Sequence, residues 1–269
     1  MYTLGILLRL MKCRIKTAIQ YPLSYVIGIL SQWFSYAANA FALWIMVQSF
    51  HTLNGWNAYE VMLLYGISLL SYAIGASFAF DVSRYMPRIA SEGGLDELLT
   101  RPLHPLVNLI GSNFNSGYLS HFTLSLIIIV FSLWQLQVPM GIWQVIWFVI
   151  CVLGASLIHC CAMLLMSFYS MRHLGQSPLR TLYWGLKDYT NYPISVFCKS
   201  SFIMQFLFTV ILPYGFIAFY PSQYFLGKTD FMMFHPIVQF LTPVVGLSLL
   251  LLTTAIFSRL IKTYRSSGT

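Results

Sequence analysis

Long apolar runs, separated by short polar connections, form the dominant pattern along this chain. Six of them are each long enough to cross about 30 Å of hydrocarbon as a helix. They are predicted at 24–48, 59–80, 106–134, 142–170, 200–219 and 237–258. Spans and connections together use nearly all of the 269 residues. The pattern therefore predicts an all-α polytopic membrane protein with six transmembrane helices, built as a single transmembrane domain over 1–269.

The first 21 residues have a different periodicity, in which apolar and cationic side chains occupy opposite faces of a helix. One face carries Leu4, Leu7, Leu8, Met11 and Ile15, and the other carries Arg9, Lys12 and Lys16. Such a helix lies in the membrane interface, with its cations at the lipid head groups. We therefore predict an interfacial amphipathic helix over 1–21, which Pro22 ends before the first pair of spans at 24–80.

The cations are distributed very unevenly between the two sides of the predicted membrane. If the N-terminus is cytoplasmic, the spans place every one of the 15 Lys and Arg residues on the cytoplasmic side except Lys228. An excess of Lys and Arg in cytoplasmic connections orients membrane proteins, so both termini are predicted to be cytoplasmic. This topology accounts for the net charge of +8 without a nucleic-acid partner. A composition of 58% hydrophobic and 8% charged residues agrees with a chain that faces a lipid bilayer.

Two connections between predicted spans have an unusual composition. Residues 213–236, between the last two spans (200–258), are aromatic, rich in proline and too apolar for a solvated loop. We predict that they dip back into the outer leaflet as a re-entrant segment, with their backbone buried against protein. Residues 171–199, which follow spans three and four (106–170), carry apolar side chains at helical spacing. They are predicted to form an amphipathic connection on the cytoplasmic interface.

The cytoplasmic connection at 84–104 contains a short charged helix between two apolar spans. Gly93 and Gly94 free the backbone before the helix, and Arg101-Pro102 ends it. Its face carries Leu95, Leu98 and Leu99, and its first turn carries Asp96 and Glu97, where the helix dipole favours acids. An apolar knob with charged flanks suits insertion into a groove on a soluble partner. The alternative is an ordinary inner helix that lies on lipid.

The chain lacks the sequence motifs of the common catalytic, ATP-binding and metal-binding sites. It contains no G-x-x-x-x-G-K-[ST], no H-E-x-x-H and no G-x-S-x-G. No catalytic residue, metal site or cofactor is therefore predicted in this chain. His159, Cys160 and Cys161 are adjacent, but adjacent helical residues point about 100° apart and cannot converge on one ion. An intramembrane enzyme that uses His159, Cys160 or His121 is the alternative.

Polar side chains inside the predicted spans fall in stripes at helical spacing. The stripe residues are Gln32, Ser35 and Asn39 on the first span, and Asn108, Ser112 and Asn115 on the third. Two interpretations are open. Small and amide residues routinely join helices to one another in membranes. The same residues could instead form the wall of a weakly polar, uncharged pathway.

The run G-G-L-D-E-L-L-T-R-P-L-H-P at 93–105 resembles the signature of permease subunits of type-2 ABC exporters. More narrowly, it resembles the six-span permease family with G-x-L-D-x-x-L-x-R-P after the second helix. Tyr192-Pro193 and FYPSQYFLG at 219–227 look like the same family, as does the amphipathic N-terminus. The resemblance covers essentially the whole chain.

The resemblance implies that two such permeases, identical or related, dock two ABC ATP-binding subunits, which hold the ATP and Mg. Residues 92–102 would be the coupling helix that contacts an ATP-binding subunit; its residues are Gly94, Leu95, Asp96, Glu97, Leu98, Leu99, Arg101 and Pro102. Residues 1–20 would be the elbow helix, and 213–236 an outer re-entrant gate with Phe219, Tyr220, Pro221 and Tyr224. A bacterial cytoplasmic membrane would be the location.

The function that the resemblance implies is ATP-driven export by alternating access, powered by the separate ATP-binding subunits. The near absence of charge in the predicted spans, together with 17 Tyr and 21 Phe, favours a hydrophobic or amphipathic substrate. A drug, a lipid-linked molecule or a peptide would fit. Besides the intramembrane enzyme, the second alternative is a membrane scaffold or sensor that binds a partner through 91–105 without transport.

Overall fold

The computed structural model describes residues 2–173, 178–198 and 201–264, and the regular elements in this part of the chain are helical, apart from one β-bridge between Leu53 and Trp56. The first helices are α1 (Tyr2–Ile19), α2 (Pro22–Ser49), α3 (Ala58–Ser91), α4 (Gly94–Thr100), α5 (Pro105–Ser112), α6 (Leu119–Gln135) and α7 (Ile142–His173). They are followed by α8 (Pro178–Lys187), α9 (Ser195–Cys198), α10 (Phe202–Phe206), α11 (Phe219–Leu226) and α12 (Thr242–Thr263). Short 3₁₀ turns and one π-helical turn (Leu207–Ile211) join them.

The long apolar helices confirm the prediction of an all-helical protein with several membrane spans. Five segments of the described chain are long and apolar enough to cross a membrane: α2, α3, the 3₁₀ turn Ser116–Tyr118 with α6, α7 and α12. Phe202–Ile211 and Pro213–Leu226 meet this criterion only together, and they are bent by 63° at Leu212. This pair is either a broken sixth span or a re-entrant loop.

Helix α3 is the centre of the bundle, and α2, α6 and α7 all pack against it. Most of its apolar length is buried. The contact with α7 is close because α3 has a glycine there: a Cβ on Gly75 would lie 2.6 Å from the carbonyl oxygen of Ser156. Helices α7 and α12 meet in the same way at Gly154 and Gly246. Small residues let the backbones of membrane helices approach one another, so these glycines set the packing of the core.

Helix α2 is attached to the edge of this core and is mostly exposed. Only 11% of its most apolar window is buried, and its buried residues are Ala40, Leu43 and Val47. An apolar helix that is exposed in one copy of a protein faces either lipid or another chain. One side of α2 is therefore available for contacts that a single copy does not make.

Helix α1 packs against α5, at the end of the bundle where α4 also lies; we call this the α4 end. A Cβ on Gly111 of α5 would lie 2.9 Å from the side chain of Leu7, so glycine permits this contact. The Arg14 guanidinium lies 3.7 Å from the Asp81 carboxylate and donates to the carbonyl of Phe114. The predicted amphipathic helix is therefore present, while its position in a membrane interface stays a prediction.

The third predicted span, 106–134, is not one continuous helix. It is divided into α5 and α6 by an irregular stretch and a 3₁₀ turn over Ser116–Tyr118. At the break, the Asn115 side chain accepts a hydrogen bond from the Gly117 amide, and the Asn115 amide donates to the Ser77 carbonyl. An asparagine side chain that satisfies its neighbour's amide competes with the helical pattern, which explains the interruption.

The segment 178–198 extends along the bundle, which differs from the predicted interfacial connection at 171–199. Three side-chain hydrogen bonds mark its path: Tyr183 to His159 of α7 (2.9 Å), Thr190 to Ser68 of α3 (2.8 Å), and Asn54 to Ser195 (3.1 Å). Asn54 lies just before α3, at the opposite end from α4, which we call the Asn54 end. Residues 174–177, 199–200 and 265–269 lie outside the described part of the chain, including two predicted cytoplasmic cations, Lys199 and Arg265.

Candidate functional site

A groove extends along the side of the bundle between α2 and the segment formed by α8 and the 3₁₀ turn Asp188–Asn191. It consists of two pockets of about 600 and 550 Å³, which share Gln32, Tyr36 and Trp184 as lining residues. The first pocket reaches Arg84 and Asn115, towards the α4 end, and the second reaches Met46. We call the two pockets together the lateral groove.

The α2 wall of the lateral groove is the polar stripe of the first span. Gln32, Ser35 and Asn39 all line the groove, and all three side chains are exposed. Gly28 continues the stripe, and a Cβ built on it would meet nothing within 4 Å. In a single copy these residues do not hold two helices together, and both interpretations of the stripe, a contact with another chain or the wall of a pathway, stay open.

The opposite wall carries a second stripe with the same spacing. Arg180, Trp184, Lys187 and Asn191 follow one another at intervals of 4, 3 and 4, as Gly28, Gln32, Ser35 and Asn39 do. All eight residues line the groove. This wall was not predicted, because 171–199 was assigned to the membrane surface. The repeated spacing in the sequence was the signal that could have revealed it.

Lys187 lies near the middle of the groove and is the most buried of its cations. Its side chain is 10% exposed, and its ammonium lies 3.2 Å from the Asp188 carboxylate, which is 69% exposed. The ammonium also lies 4.3 Å from the ring centroid of Tyr72 and 5.8 Å from that of Trp184. Tyr72 is 14 residues from the start of α3, a rise of about 21 Å. If α3 spans the membrane, Lys187 therefore lies at the depth of the hydrocarbon.

The floor of the groove contains a histidine that is only half satisfied. His121 is 3% exposed, and its Nδ1 lies 3.0 Å from the Ser120 hydroxyl. Its Nε2 has no hydrogen-bond partner among the residues that the structure describes. The ring packs against Tyr36, Tyr72 and Tyr118, with a centroid distance of 4.1 Å to Tyr36. A buried polar atom without a partner is uncommon in folded proteins and identifies this place as a candidate contact for a ligand.

The three polar residues predicted in the third span have different surroundings. Asn115 lines the groove and donates to the Asp81 carboxylate at 3.1 Å. Asn108 is buried beside α4, where its side-chain oxygen lies 3.5 Å from the Arg101 guanidinium. The Ser112 hydroxyl donates to the Leu109 carbonyl of its own helix. Of these three residues, only Asn115 lines either pocket of the groove.

Helix α4 is present where the sequence predicts it, but its leucines do not share one exposed face. Leu95 is 1% exposed and belongs to the core of the chain, whereas Leu99 is 40% exposed and Leu98 is intermediate. Gly93 begins the helix with φ +73°, a conformation that favours glycine. Glu97 forms an ion pair with Arg101 at the end of the helix. The exposed surface of α4 therefore consists of Leu99 with charged neighbours.

Two further contacts fix the ends of α4. Partial burial and the nearby Asp96 carboxylate raise the pKa of Tyr264, just after α12, so its hydroxyl stays protonated beside the acid. At the other end, the contact between Arg101 and Asn108 connects α4 to α5. These interactions connect α4 to α5 and bring Asp96 near the residue that follows α12. Pro102, the next residue, is exposed.

The residues predicted for an outer gate lie in α11, which follows the 63° bend. Phe219, Tyr220 and Pro221 are buried, and the Tyr220 hydroxyl lies 2.8 Å from that of Thr209. Tyr224 is 37% exposed and packs edge-to-face on Phe240. After α11, the Lys228 ammonium lies 3.0 Å from Glu60 and donates to the Gly55 carbonyl. Helix α11 thus lies near the Asn54 end, where the ring centroid of Phe219 is 5.7 Å from that of Trp56, and the role of the segment as a gate stays a prediction.

His159, the candidate residue of an intramembrane enzyme, forms a helix–helix contact. Its Nδ1 bonds to the Tyr183 hydroxyl at 2.9 Å, and it is 1% exposed. Cys161 is buried and Cys160 is intermediate. Among the described residues, no three His, Cys, Asp or Glu side chains cluster closely enough to hold a metal ion. The contact with Tyr183 attaches His159 to the core, while its Nε2, like that of His121, has no hydrogen-bond partner among the described residues.

Comparison with protein families identifies the chain. Residues 33–268 match the model described as ABC-2 family transporter protein, which covers the bundle from α2 to the end of α12. The chain belongs to the ABC-2 transporter family. It is thus the permease subunit of an ABC transporter, a multi-pass membrane component that functions with separate ATP-binding subunits. Comparison with curated proteins and with solved structures found no match.

Proposed function

We propose that this ABC-2 permease exports a hydrophobic or amphipathic molecule, such as a drug, a lipid-linked molecule or a peptide, along the lateral groove. The observation that carries this proposal is a polar groove with a buried cation on the side of an otherwise apolar bundle. Ionisable residues at membrane depth are costly, and they typically face a water-filled cavity or a substrate path. Lys187, between Tyr72 and Trp184, is such a residue.

A second permease, identical or related, would close the groove. Helix α2 is exposed along its polar stripe, so its uncovered side is the natural surface for a partner permease. The substrate path would then lie between two permeases. Phe219, Tyr220 and Pro221 would form its outer gate, and alternating access would arise from relative motion of the two bundles.

Energy would enter through α4. The permeases would lie in the cell membrane of a bacterium. Two ATP-binding subunits, which hold ATP and Mg, would dock on their cytoplasmic side. The contacts of α4 with α5 through Arg101, and the proximity of Asp96 to Tyr264, would transmit their motion to the bundle. Gly94, at the start of α4 beside Ile89, would allow the close turn from α3.

The path can be tested by narrowing it. Inside-out membrane vesicles that contain the permease and its ATP-binding subunits would be assayed for ATP-driven uptake of a panel of dansyl-labelled amphiphiles. Ser35→Trp places a large side chain in the groove and should reduce uptake at least tenfold. The matched control is Phe34→Trp, because the adjacent Phe34 is 66% exposed and points about 100° away.

Each outcome of this assay has a definite meaning. ATP-dependent uptake that Ser35→Trp abolishes and Phe34→Trp preserves would support export along the groove. Equal uptake by both variants would contradict the path. No ATP-dependent uptake of any panel member would contradict export of this class of substrate and would favour a scaffold or sensor.

A further inference from the structure

The charges of the lateral groove are predominantly positive. Arg84 and Arg180 line its first pocket, and Lys187 and Asp188 line its second. These are the charged residues of the described chain that line the two pockets, so three cations face a single carboxylate. A predominantly apolar membrane protein with such a groove has an electrostatic preference for anions.

Lys187 has more capacity for hydrogen bonds than its own chain uses. An ammonium carries three donors. Among the described residues, Asp188 is the one carboxylate within 4 Å of it, and that side chain is largely exposed. The aromatic rings of Tyr36, Tyr72 and Trp184 provide attraction but no acceptor lone pair of the carboxylate or phosphate kind. Donors of the ammonium therefore remain for a group in the groove.

The two α8 cations are arranged to meet one elongated molecule. Arg180 and Lys187 are seven residues apart on the groove face of α8, which corresponds to a rise of about 10 Å. Trp184 lies between them on the same face, as a large apolar surface. On the floor, the unpartnered Nε2 of His121 adds a polar contact beside Tyr36. Charge and aromatic surface thus alternate along the groove.

We propose that the lateral groove binds an amphiphile with an anionic head group, of the phosphate or carboxylate class, whose apolar tail packs on the aromatic residues of the groove. The Lys187 ammonium holds the anion, and the guanidinium groups of Arg180 and Arg84, which line the neighbouring pocket, attract it at longer range. This proposal rests on the proposed function and narrows its substrate class. An internal ammonium already lies against Tyr72 and Trp184, so the groove disfavours cationic amphiphiles by like-charge repulsion.

The test is equilibrium binding to the purified permease in nanodiscs of zwitterionic lipid. Three probes share a dodecyl tail: radiolabelled dodecyl phosphate, dodecylphosphocholine and dodecyltrimethylammonium. Dodecyl phosphate should bind at least tenfold more tightly than either of the others. Inorganic phosphate should compete at least a hundredfold more weakly than dodecyl phosphate, because it lacks the tail.

Variants locate the site in the groove. Lys187→Met keeps the length of the side chain and removes its charge, and the carboxylate left behind is 69% exposed, so no buried charge is stranded. This variant should weaken dodecyl phosphate binding roughly ten- to a hundredfold, the usual effect of losing a hydrogen bond to a charged group, and Arg180→Gln, which removes only longer-range attraction, should weaken it by a smaller factor. Arg172→Gln is the matched control, because Arg172 is an exposed cation at the end of α7 and does not line the groove.

The outcomes separate this proposal from the proposed function. Equal binding of the three probes, tighter binding of dodecyltrimethylammonium, or binding that is indifferent to Lys187→Met would overturn the anionic site, while ATP-driven transport of other amphiphiles would stand. Inorganic phosphate that competes as well as dodecyl phosphate would replace the amphiphile with a free anion and would also overturn the proposal. Selective dodecyl phosphate binding without ATP-driven uptake would keep the site and reject export. Circular dichroism and gel filtration of each variant confirm that a loss of binding is not a loss of fold.

Discussion

Substitutions at two leucines of α4 should separate the stability of the permease from its attachment to the ATP-binding subunits. Leu95 is 1% exposed, so Leu95→Ala leaves a cavity in the core and should cost about 2–5 kcal/mol of unfolding free energy. Leu99 is 40% exposed. Complete burial of a leucine contributes about 1.5–3 kcal/mol, and Leu99 has only part of that to lose, so the stability cost at Leu99 is about 1–2 kcal/mol at most.

The effect on partner binding should have the opposite order. If Leu99 inserts into a groove on the ATP-binding subunit, Leu99→Asp places a charge in an apolar pocket. Loss of a central interface side chain costs about 2 kcal/mol or more, which corresponds to a Kd about thirtyfold weaker. Leu95 does not reach the surface, and Leu95→Ala should leave the Kd within about threefold of the wild-type value, provided that the variant is folded.

The assay combines two measurements on the same preparations. Thermal unfolding in mild detergent gives the Tm of each permease, and titration of the purified ATP-binding subunit onto the nanodisc-held permease gives the Kd. Leu99→Met, which keeps an apolar side chain of similar volume, is the control and should behave as wild type in both. Unchanged binding by Leu99→Asp, together with loss of binding by a fully stable Leu95→Ala, would refute the assignment of the contact to Leu99.

Two further predictions concern the packing of the bundle. Gly75→Ala should lower the unfolding free energy by about 1–3 kcal/mol, because the new Cβ would lie 2.6 Å from the Ser156 carbonyl oxygen. The control is Gly28→Ala, whose Cβ would meet nothing within 4 Å and which should be neutral or slightly stabilising. Equal Tm values for the two variants would contradict the close contact of α3 with α7. Lys228→Met removes the 3.0 Å contact with Glu60 and should accelerate amide hydrogen exchange in α11 about tenfold, whereas unchanged exchange would show that this ion pair does not hold the segment.

The polar stripe that forms the first wall of the groove is conspicuous in the sequence, whereas the charge of the second stripe obscures it. The stripe of Gln32, Ser35 and Asn39 lies inside a long apolar run, so its polar residues are conspicuous. The stripe of Arg180, Trp184 and Lys187 lies in a segment whose cations lower its hydropathy below that of a span. Positive charge near the end of a predicted span also indicates a cytoplasmic connection. The distribution of Lys and Arg between the two sides of the membrane treats Lys187 like a surface lysine, although its side chain is only 10% exposed.

Helix α4 shows a similar limit at the scale of one helix. The sequence places Leu95, Leu98 and Leu99 at helical spacing, but spacing alone does not tell which neighbour covers which leucine. The chain turns sharply at Gly93, whose φ is +73°. In the helix that follows, Leu95 faces the core and Leu99 is exposed. Asn115 gives a further example. Its polarity was predicted, whereas its cap on Gly117, which interrupts the third span, depends on the local fold.

The lateral opening of the groove has a consequence for how the protein meets its substrate. Gln32, Ser35 and Asn39 are exposed on the side of the bundle, so the groove in one copy opens laterally and would face lipid wherever a second permease does not cover it. The lipids of the bilayer then compete with the substrate for the groove at very high local concentration. The concentration of the substrate in water therefore does not measure how much of it reaches the groove. The apparent affinity for an acidic amphiphile would therefore fall as the mole fraction of acidic lipid rises, and the composition of the host membrane would set the working range of the transporter.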